Sequence, residues 1–238
     1  MRQTLIVHSD LISYGRILEL QRGWAKALAQ GSVDPLIWIG SHPPVITLGK
    51  QGDEAELNHT PETLKEMGVE LHSIERGGLA TVHGPGQLVA YPIWPFKAIG
   101  LGVKDYVWRL EEAMIRTLAE LGIQAGRNEL NPGAWAGPDK IGFVGLAIKN
   151  GVIFHGLSLN LNLSLKLFEL IIPCGLDRVA ITSAHRLLGR PVDTAEGGGI
   201  MAEKLSQLLE AEGRVIGLEE AEAKLAGLDL LEERQATG

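Results

Sequence analysis

Ile141-Gly142-Phe143-Val144-Gly145-Leu146-Ala147-Ile148-Lys149-Asn150-Gly151-Val152-Ile153-Phe154-His155-Gly156-Leu157-Ser158-Leu159-Asn160 sets an Asn-Gly pair between two apolar runs. Such a pair signals a two-residue type I′ hairpin, because both central residues of that turn take positive φ. Counting outward pairs Lys149 with Val152, Leu146 with His155, Gly145 with Gly156, and Phe143 with Ser158. Opposed residues project to one side of a sheet and alternate residues to the other. Both faces of the hairpin are then largely apolar, so it belongs in a sheet covered on both sides. Without a bulge, Lys140 lies on the same face as His155, and a lysine beside a buried hairpin needs a reason. Gly145 against Gly156 leaves a gap on one face, wide enough in principle to pass an apolar chain.

Downstream, Leu163 to Ile172 reads as a helical turn that delivers Pro173-Cys174-Gly175, which holds the only cysteine. Proline and glycine on either side suit a tight turn that presents the side chain. A lone cysteine is most often a small buried hydrophobe. As a thiolate it is the best side-chain nucleophile for an acyl group, given a neighbour that lowers its pKa. His83, His155, His185 and Lys140 are the candidate partners, and composition does not choose among them. One cysteine excludes an internal disulfide and a cysteine-built cluster, and no paired-histidine helix motif is present, so no metal site is expected. Further on, Ser183 caps a short helix ending at Gly189. Gly197-Gly198-Gly199 weakens the start of a helix whose stripe includes Leu205, Leu208 and Leu209.

Upstream, Arg76-Gly77-Gly78-Leu79-Ala80-Thr81-Val82-His83-Gly84-Pro85-Gly86-Gln87-Leu88-Val89-Ala90-Tyr91-Pro92 cannot be helix. It reads as a glycine-rich loop running into a strand over Gln87 to Tyr91, with backbone open to a substrate beside Arg76, Thr81 and His83. No Gly-Lys-Ser/Thr follows, which argues against a phosphate loop. Before it come a strand at Thr4 to His8 and a helix with Ile17, Leu20, Trp24 and Leu28 at helical spacing, stopping near Gly31. Strands follow at Leu36 to Ile39 and Val45 to Leu48, then a helix capped by Thr60 with Pro61 at its first position. Between loop and hairpin, Val107, Leu110, Met114, Leu118 and Leu121 mark a long helix closed by Gly122. Alternating helices and strands with an antiparallel hairpin predict an α/β or α+β fold with a mixed sheet flanked by helices.

The chain's 238 residues are enough for one large domain. The boundary is placed at residue 217, with 218–238 as an acidic C-terminal tail. Hydrophobic residues make up 45% and mean hydropathy is +0.09, and no run reaches the length of a membrane span. Met1 to His8 is too short and polar for a signal peptide. A single cysteine fits a reducing cytoplasm. A net charge of −7 argues against nucleic-acid binding. Within this acidic chain, Lys140, Lys149, Lys166, Arg178, Arg186 and Arg190 face only Glu169 and Asp177 over residues 140–190, a locally basic stretch suited to an acidic partner.

Residues 76–93 closely resemble the signature of the octanoyltransferases of lipoate synthesis, the lipoyl(octanoyl) transferases of the LipB family. The likeness continues through Lys140, His155 to Asn160, Ile172 to Gly175, Ile181 to Ser183 and Val192 to Glu196. It implies the catalytic-domain fold shared by biotin and lipoate protein ligases. It also implies transfer of octanoyl from octanoyl-acyl carrier protein to a lysine of lipoyl domains, through an acyl-cysteine thioester. The acceptors implied are lipoyl domains of 2-oxoacid dehydrogenase E2 subunits and the glycine cleavage H protein. The family's nucleophile falls on Cys174 and its pKa-lowering lysine on Lys140. Its substrate-binding segments fall on Arg76, Gly77, Gly78, Leu79, Ala80, Thr81, Val82 and His83, on Phe143, Val144 and Gly145, and on Gly156, Leu157 and Ser158. Ser158 stands where the family usually has alanine. The expectation is a monomeric enzyme without a cofactor, a membrane or a nucleic-acid partner. The alternatives are an ATP-dependent lipoate or biotin ligase, a cysteine thioesterase, and a non-enzymatic carrier-binding module with a structural Cys174.

Overall fold

A computed structural model describes residues 1–100, 102–129, 131–172 and 179–237, without the side chains of 98, 99 and 229–237. In it Asn150 and Gly151 both take positive φ, 50° and 77°. The strands they join pair as the count outward predicts: Lys149 with Val152, Leu146 with His155, Gly145 with Gly156, Phe143 with Ser158.

Among the described residues, ten strands follow in chain order: β1 (Arg2–Leu11), β2 (Leu36–Ser41), β3 (Val45–Leu48), β4 (Glu70–Ser73), β5 (Ala80–His83), β6 (Gln87–Pro95), β7 (Gly133–Ala136), β8 (Asp139–Lys149), β9 (Val152–Asn160) and β10 (Ala211–Ile216). The α-helices are α1 (Tyr14–Ala29), α2 (Pro61–Glu66), α3 (Val103–Glu120), α4 (Ala184–Leu188), α5 (Thr194–Leu208) and α6 (Leu218–Thr237). Seven strands form one sheet in the order β10-β1-β2-β6-β9-β8-β7, and β4-β3-β5 form a second. β1 runs parallel to β10 and β2, while the other pairs of the large sheet are antiparallel. The sheet is mixed, as the hairpin required.

Helices cover both faces. On one, Ile17, Leu20 and Trp24 of α1 pack with Trp38, Tyr91 and Phe154, and Ala221 and Leu225 of α6 join them. On the other, Leu110, Met114 and Leu118 of α3 pack with Met201 and Leu205 of α5 over Ile153, Leu157 and Leu159. Each such fully buried side chain stabilises by about 1.5–3 kcal/mol. Gly31, Gly68, Gly122 and Gly189 take positive φ just past α1, α2, α3 and α4, which is how glycine ends a helix. Among the described residues no helix is long and apolar enough to cross a membrane.

The structure adds to or corrects the sequence reading at four points. Gly197 to Gly199 lie inside α5, which starts earlier because Asp193 Oδ1 accepts from Ala195 N at 2.8 Å and Glu196 N at 3.3 Å. A Cβ on Gly197 would stand 2.8 Å from Leu161, so glycine there lets α5 lie close to the core. Part of the glycine-rich stretch, Ala80–His83, is strand β5, paired with β3. Finally, β8 does carry a bulge. Ala134 pairs with Gly142 and Trp135 with Lys140, leaving Ile141 as the extra residue. Ile141 therefore packs into the α3-side core, on the same side as Gly142, and Lys140 turns the other way. His155 breaks alternation too. Its φ of +59° sets its backbone N–H on Gln21 Oε1 of α1 at 2.8 Å and its ring beside Tyr91. Both irregularities turn a polar side chain into one cavity.

Candidate active site

That cavity, about 230 Å³, lies between the glycine stretch before β5 and the β8–β9 hairpin. Of the residues singled out from sequence, Arg76 to Thr81, His83, Lys140, Phe143 to Gly145 and Gly156 to Ser158 line it. Val82 does not. Strand alternation sends it into the core with Ile46, Leu48 and Phe168, while Thr81 and His83 face the cavity. His185 is exposed on α4 and is not part of the wall. Pro173, Cys174 and Gly175 lie outside the described residues.

The mouth is built around Lys140. Its residue is only 4% exposed, and its Nζ donates to Asn131 Oδ1 and to Pro132 O at 2.9 Å. The ammonium also stands 4.8 Å over the Phe143 ring and 5.5 Å from Trp135. Burial pulls its pKa down to about 8, and Glu111 on α3 opposes that shift only in part. The Lys140 backbone also carries the next segment: Lys140 N donates to Ala180 O and Thr182 N to Lys140 O, both at 2.9 Å. On the other side Leu57 bridges Ile171, and Ile172 N donates to Glu56 O at 2.6 Å. Ile171 and Ile181 both line the cavity.

The floor is aromatic and polar. Tyr14 of α1 stacks on His83 with ring centroids 6.0 Å apart, and His42 lies 5.9 Å from His83. His42 Nδ1 donates to Ile12 O at 2.8 Å, since a carbonyl only accepts, which leaves Nε2 to accept the Tyr91 hydroxyl at 3.2 Å. Burial pushes His42 down to about 4 and His83 to about 3, and it pushes the Tyr14 and Tyr91 phenols up. His155 is also lowered by burial, and neither of its ring nitrogens has a hydrogen-bond partner among the described residues. Glu75 comes no nearer to it than 3.9 Å.

Arg76 lines the same cavity. Its guanidinium is buried and, among the described residues, bonds only neutral oxygens: Thr47 O at 2.6 Å, Thr47 Oγ1 at 2.9 Å and Gly77 O at 3.2 Å. This overturns the idea of an open gap between Gly145 and Gly156. A Cβ on Gly145 would meet Arg76 Cδ at 2.9 Å, and one on Gly156 would meet Ala90 O at 2.2 Å. The first glycine makes room for the arginine and the second for the β6 backbone. Sequence reasoning missed Tyr14, Tyr91 and Asn131 in the wall. Only Asn131, before Pro132 in a turn, had a local signal at all.

Residues 13–206 match the family model of the lipoyl protein ligase A/B catalytic domain. An octanoyltransferase of Syntrophobacter fumaroxidans is 38% identical over 94% of this chain and 99% of its own. One of Desulfotalea psychrophila is 49% identical over 81% and 88%. Among solved structures, a bipartite lipoate protein ligase studied with its E2 lipoyl domain from Thermoplasma acidophilum superposes with TM-score 0.73, at 17% identity, over 96% of this chain and 92% of that one. The biotin protein ligase of Aquifex aeolicus superposes with TM-score 0.50, at 13% identity, over 88% and 70%. The fold is that of the lipoate and biotin ligase catalytic domains, and the sequence places this chain within it: it belongs to the octanoyltransferases, the lipoyl(octanoyl) transferase enzymes of protein lipoylation.

Proposed function

We propose that this enzyme moves octanoyl from acyl carrier protein to a lysine of a lipoyl domain through a thioester on Cys174. The observation that carries this reading is the Lys140 amine, buried at the cavity mouth with its pKa lowered to about 8. It stands on the strand that holds Ala180 and Thr182, just past the Pro173-Cys174-Gly175 segment. At pH 7 a pKa near 8 leaves roughly one amine in ten neutral, against fewer than one in a thousand for an ordinary lysine. Asn131 and Pro132 occupy two of the three Nζ–H directions. The neutral amine keeps both bonds, and its lone pair occupies the third direction, where a proton can be taken or returned.

In the first half-reaction Lys140 takes the thiol proton. The Cys174 thiolate attacks the carrier thioester, and the carrier's thiolate leaves with the proton returned from Lys140. One thioester replaces another at little free-energy change. In the second, the acceptor lysine attacks acyl-Cys174 as a neutral amine, Lys140 takes its excess proton, and Cys174 is released as the thiol. Amide formation from a thioester is downhill, so no nucleotide is required. The walls from Arg76 to His83, Phe143 to Gly145 and Gly156 to Ser158 would hold the acyl group. Lys166, Arg186 and Arg190 are exposed, and they give an acidic carrier a basic surface to meet. A lipoyl-domain acceptor fits the lipoylation system of the T. acidophilum neighbour.

Intact mass after incubation with octanoyl-carrier protein tests this reading. Wild type should gain one octanoyl group and lose it on addition of a lipoyl domain, and Cys174→Ala should gain none. Appreciable transfer by Cys174→Ala would overturn the covalent route.

A further inference from the structure

A buried line of side-chain amides crosses the sheet from the cavity floor to the Lys140 strand. His83 Nδ1 lies 2.6 Å from Gln87 Oε1. Gln87 Nε2 donates to Asn160 Oδ1 at 2.9 Å and, more weakly, to Val82 O at 3.4 Å. Asn160 Nδ2 donates to Thr182 O at 3.0 Å, and Thr182 N donates to Lys140 O at 2.9 Å. Gln87 and Asn160 are 1% and 0% exposed, so water cannot substitute for a lost partner.

The direction of every hydrogen in this line is forced. Thr182 O is a carbonyl and only accepts, so the NH₂ of Asn160 must face it and Asn160 Oδ1 must face Gln87. Asn160 Oδ1 and Val82 O both accept, so Gln87 must present its NH₂ to them and its Oε1 to His83. An oxygen facing His83 Nδ1 requires the proton on Nδ1. Nε2 is left bare, on a ring that lines the cavity. Turning either amide over sets oxygen against oxygen in a buried site, which costs two hydrogen bonds at once.

We propose that Gln87 and Asn160 are positioning residues that hold His83 as its Nδ1–H tautomer, making Nε2 a fixed hydrogen-bond acceptor for an N–H of the incoming amine. The functional half of this rests on the octanoyl-transfer reading above. The geometry gives the two proton-handling groups different duties. Lys140 exchanges a proton, whereas His83 only accepts a hydrogen bond and orients the amine that Lys140 deprotonates. The same line ties His83 to the strand carrying Lys140, so the distance between them is held through side chains as well as through the sheet.

Nitrogen-15 NMR of the histidine rings in the free protein tests the tautomer, and it does so whichever acyl group the enzyme transfers. Wild type should show His83 with a protonated Nδ1 and a bare Nε2 from about pH 6 to pH 8. A proton on Nε2 would overturn the proposal without any variant. Gln87→Leu should lose the tautomer and slow amine transfer from the pre-formed acyl-enzyme about tenfold or more. Acylation of Cys174 should be much less affected. An unchanged tautomer in that variant, or a changed tautomer with an unchanged rate, would also overturn it.

Discussion

The two ends of the cavity use burial for opposite purposes. At the mouth, Lys140 is almost fully buried, Glu111 offsets part of the cost, and its pKa stops at about 8. Its proton can come and go at neutral pH. At the floor, burial outweighs the Ile12 carbonyl and Glu70 at His42 and the Gln87 amide at His83, and their pKa values fall to about 4 and about 3. They stay neutral throughout the working range and act as oriented dipoles. Burial of similar strength makes the lysine an acid–base group and the histidines fixed ones, because the lysine starts from a much higher value.

The strongest way to break the contrast is at the mouth. Lys140→Arg keeps a cation that cannot release its proton, and it should slow both half-reactions by about 10²–10⁴-fold in single-turnover assays. If the acyl-enzyme resolves normally in that variant, Lys140 is an electrostatic partner only. In wild type, resolution of pre-formed acyl-enzyme should speed up as pH rises through about 8, because the lowered pKa makes the neutral amine available there. The bend near pH 8 should vanish in Lys140→Arg, leaving only the rise that the acceptor amine itself gives.

The floor gives a pH effect on stability instead. His42 is neutral when folded down to about pH 4, whereas its unfolded form takes a proton near 6.5. Between those values the unfolded state binds more protons, so stability falls as pH falls. At about 1.4 kcal/mol per pH unit, His42 alone should lower stability by about 3 kcal/mol across that window, with His83 adding to the loss. Urea midpoints at a series of pH values from 7 to 5 would show it, and a flat series would mean the floor histidines are not held neutral.

Between the ends, the two glycines should separate. Gly156→Ala drives a methyl into the Ala90 carbonyl and should cost about 3 kcal/mol or more, because backbone must move. Gly145→Ala meets only a methylene of Arg76, so about 1 kcal/mol is expected, with a loss of transfer if the arginine shapes the slot. Equal losses in urea melts would show that Arg76 is as rigid as backbone.

The hairpin was readable because its register depends on two adjacent residues, Asn150 and Gly151, and on nothing distant. The helices α1 and α3 were readable from their spacing and closing glycines. β10 was not, since four of its six residues are exposed and its pairing with β1 spans two hundred residues of sequence. β7, four residues between two prolines, offers too short a pattern to find. At the site, sequence alone drew attention to Lys140 and His83, but not to Tyr14 and Tyr91. Tyr14 arrives from α1 with no local motif, and only the packing of α1 on the sheet stacks it on His83; Tyr91 reaches the wall from β6, beside His42. Nor could alternation foresee the bulge at Ile141 or the turn of His155, since both are answers to tertiary packing.

His155 carries a consequence for which substitutions the chain can survive. Its positive φ, inside a strand, admits glycine without strain and asparagine or aspartate at small cost, and it resists every β-branched residue. The permitted replacements at 155 are therefore chosen by backbone shape before any chemistry is tested. Asparagine keeps the bend and loses the imidazole; valine or isoleucine would suit an ordinary strand and here would break one. In a saturation library, position 155 should look like a turn position set in the middle of a sheet.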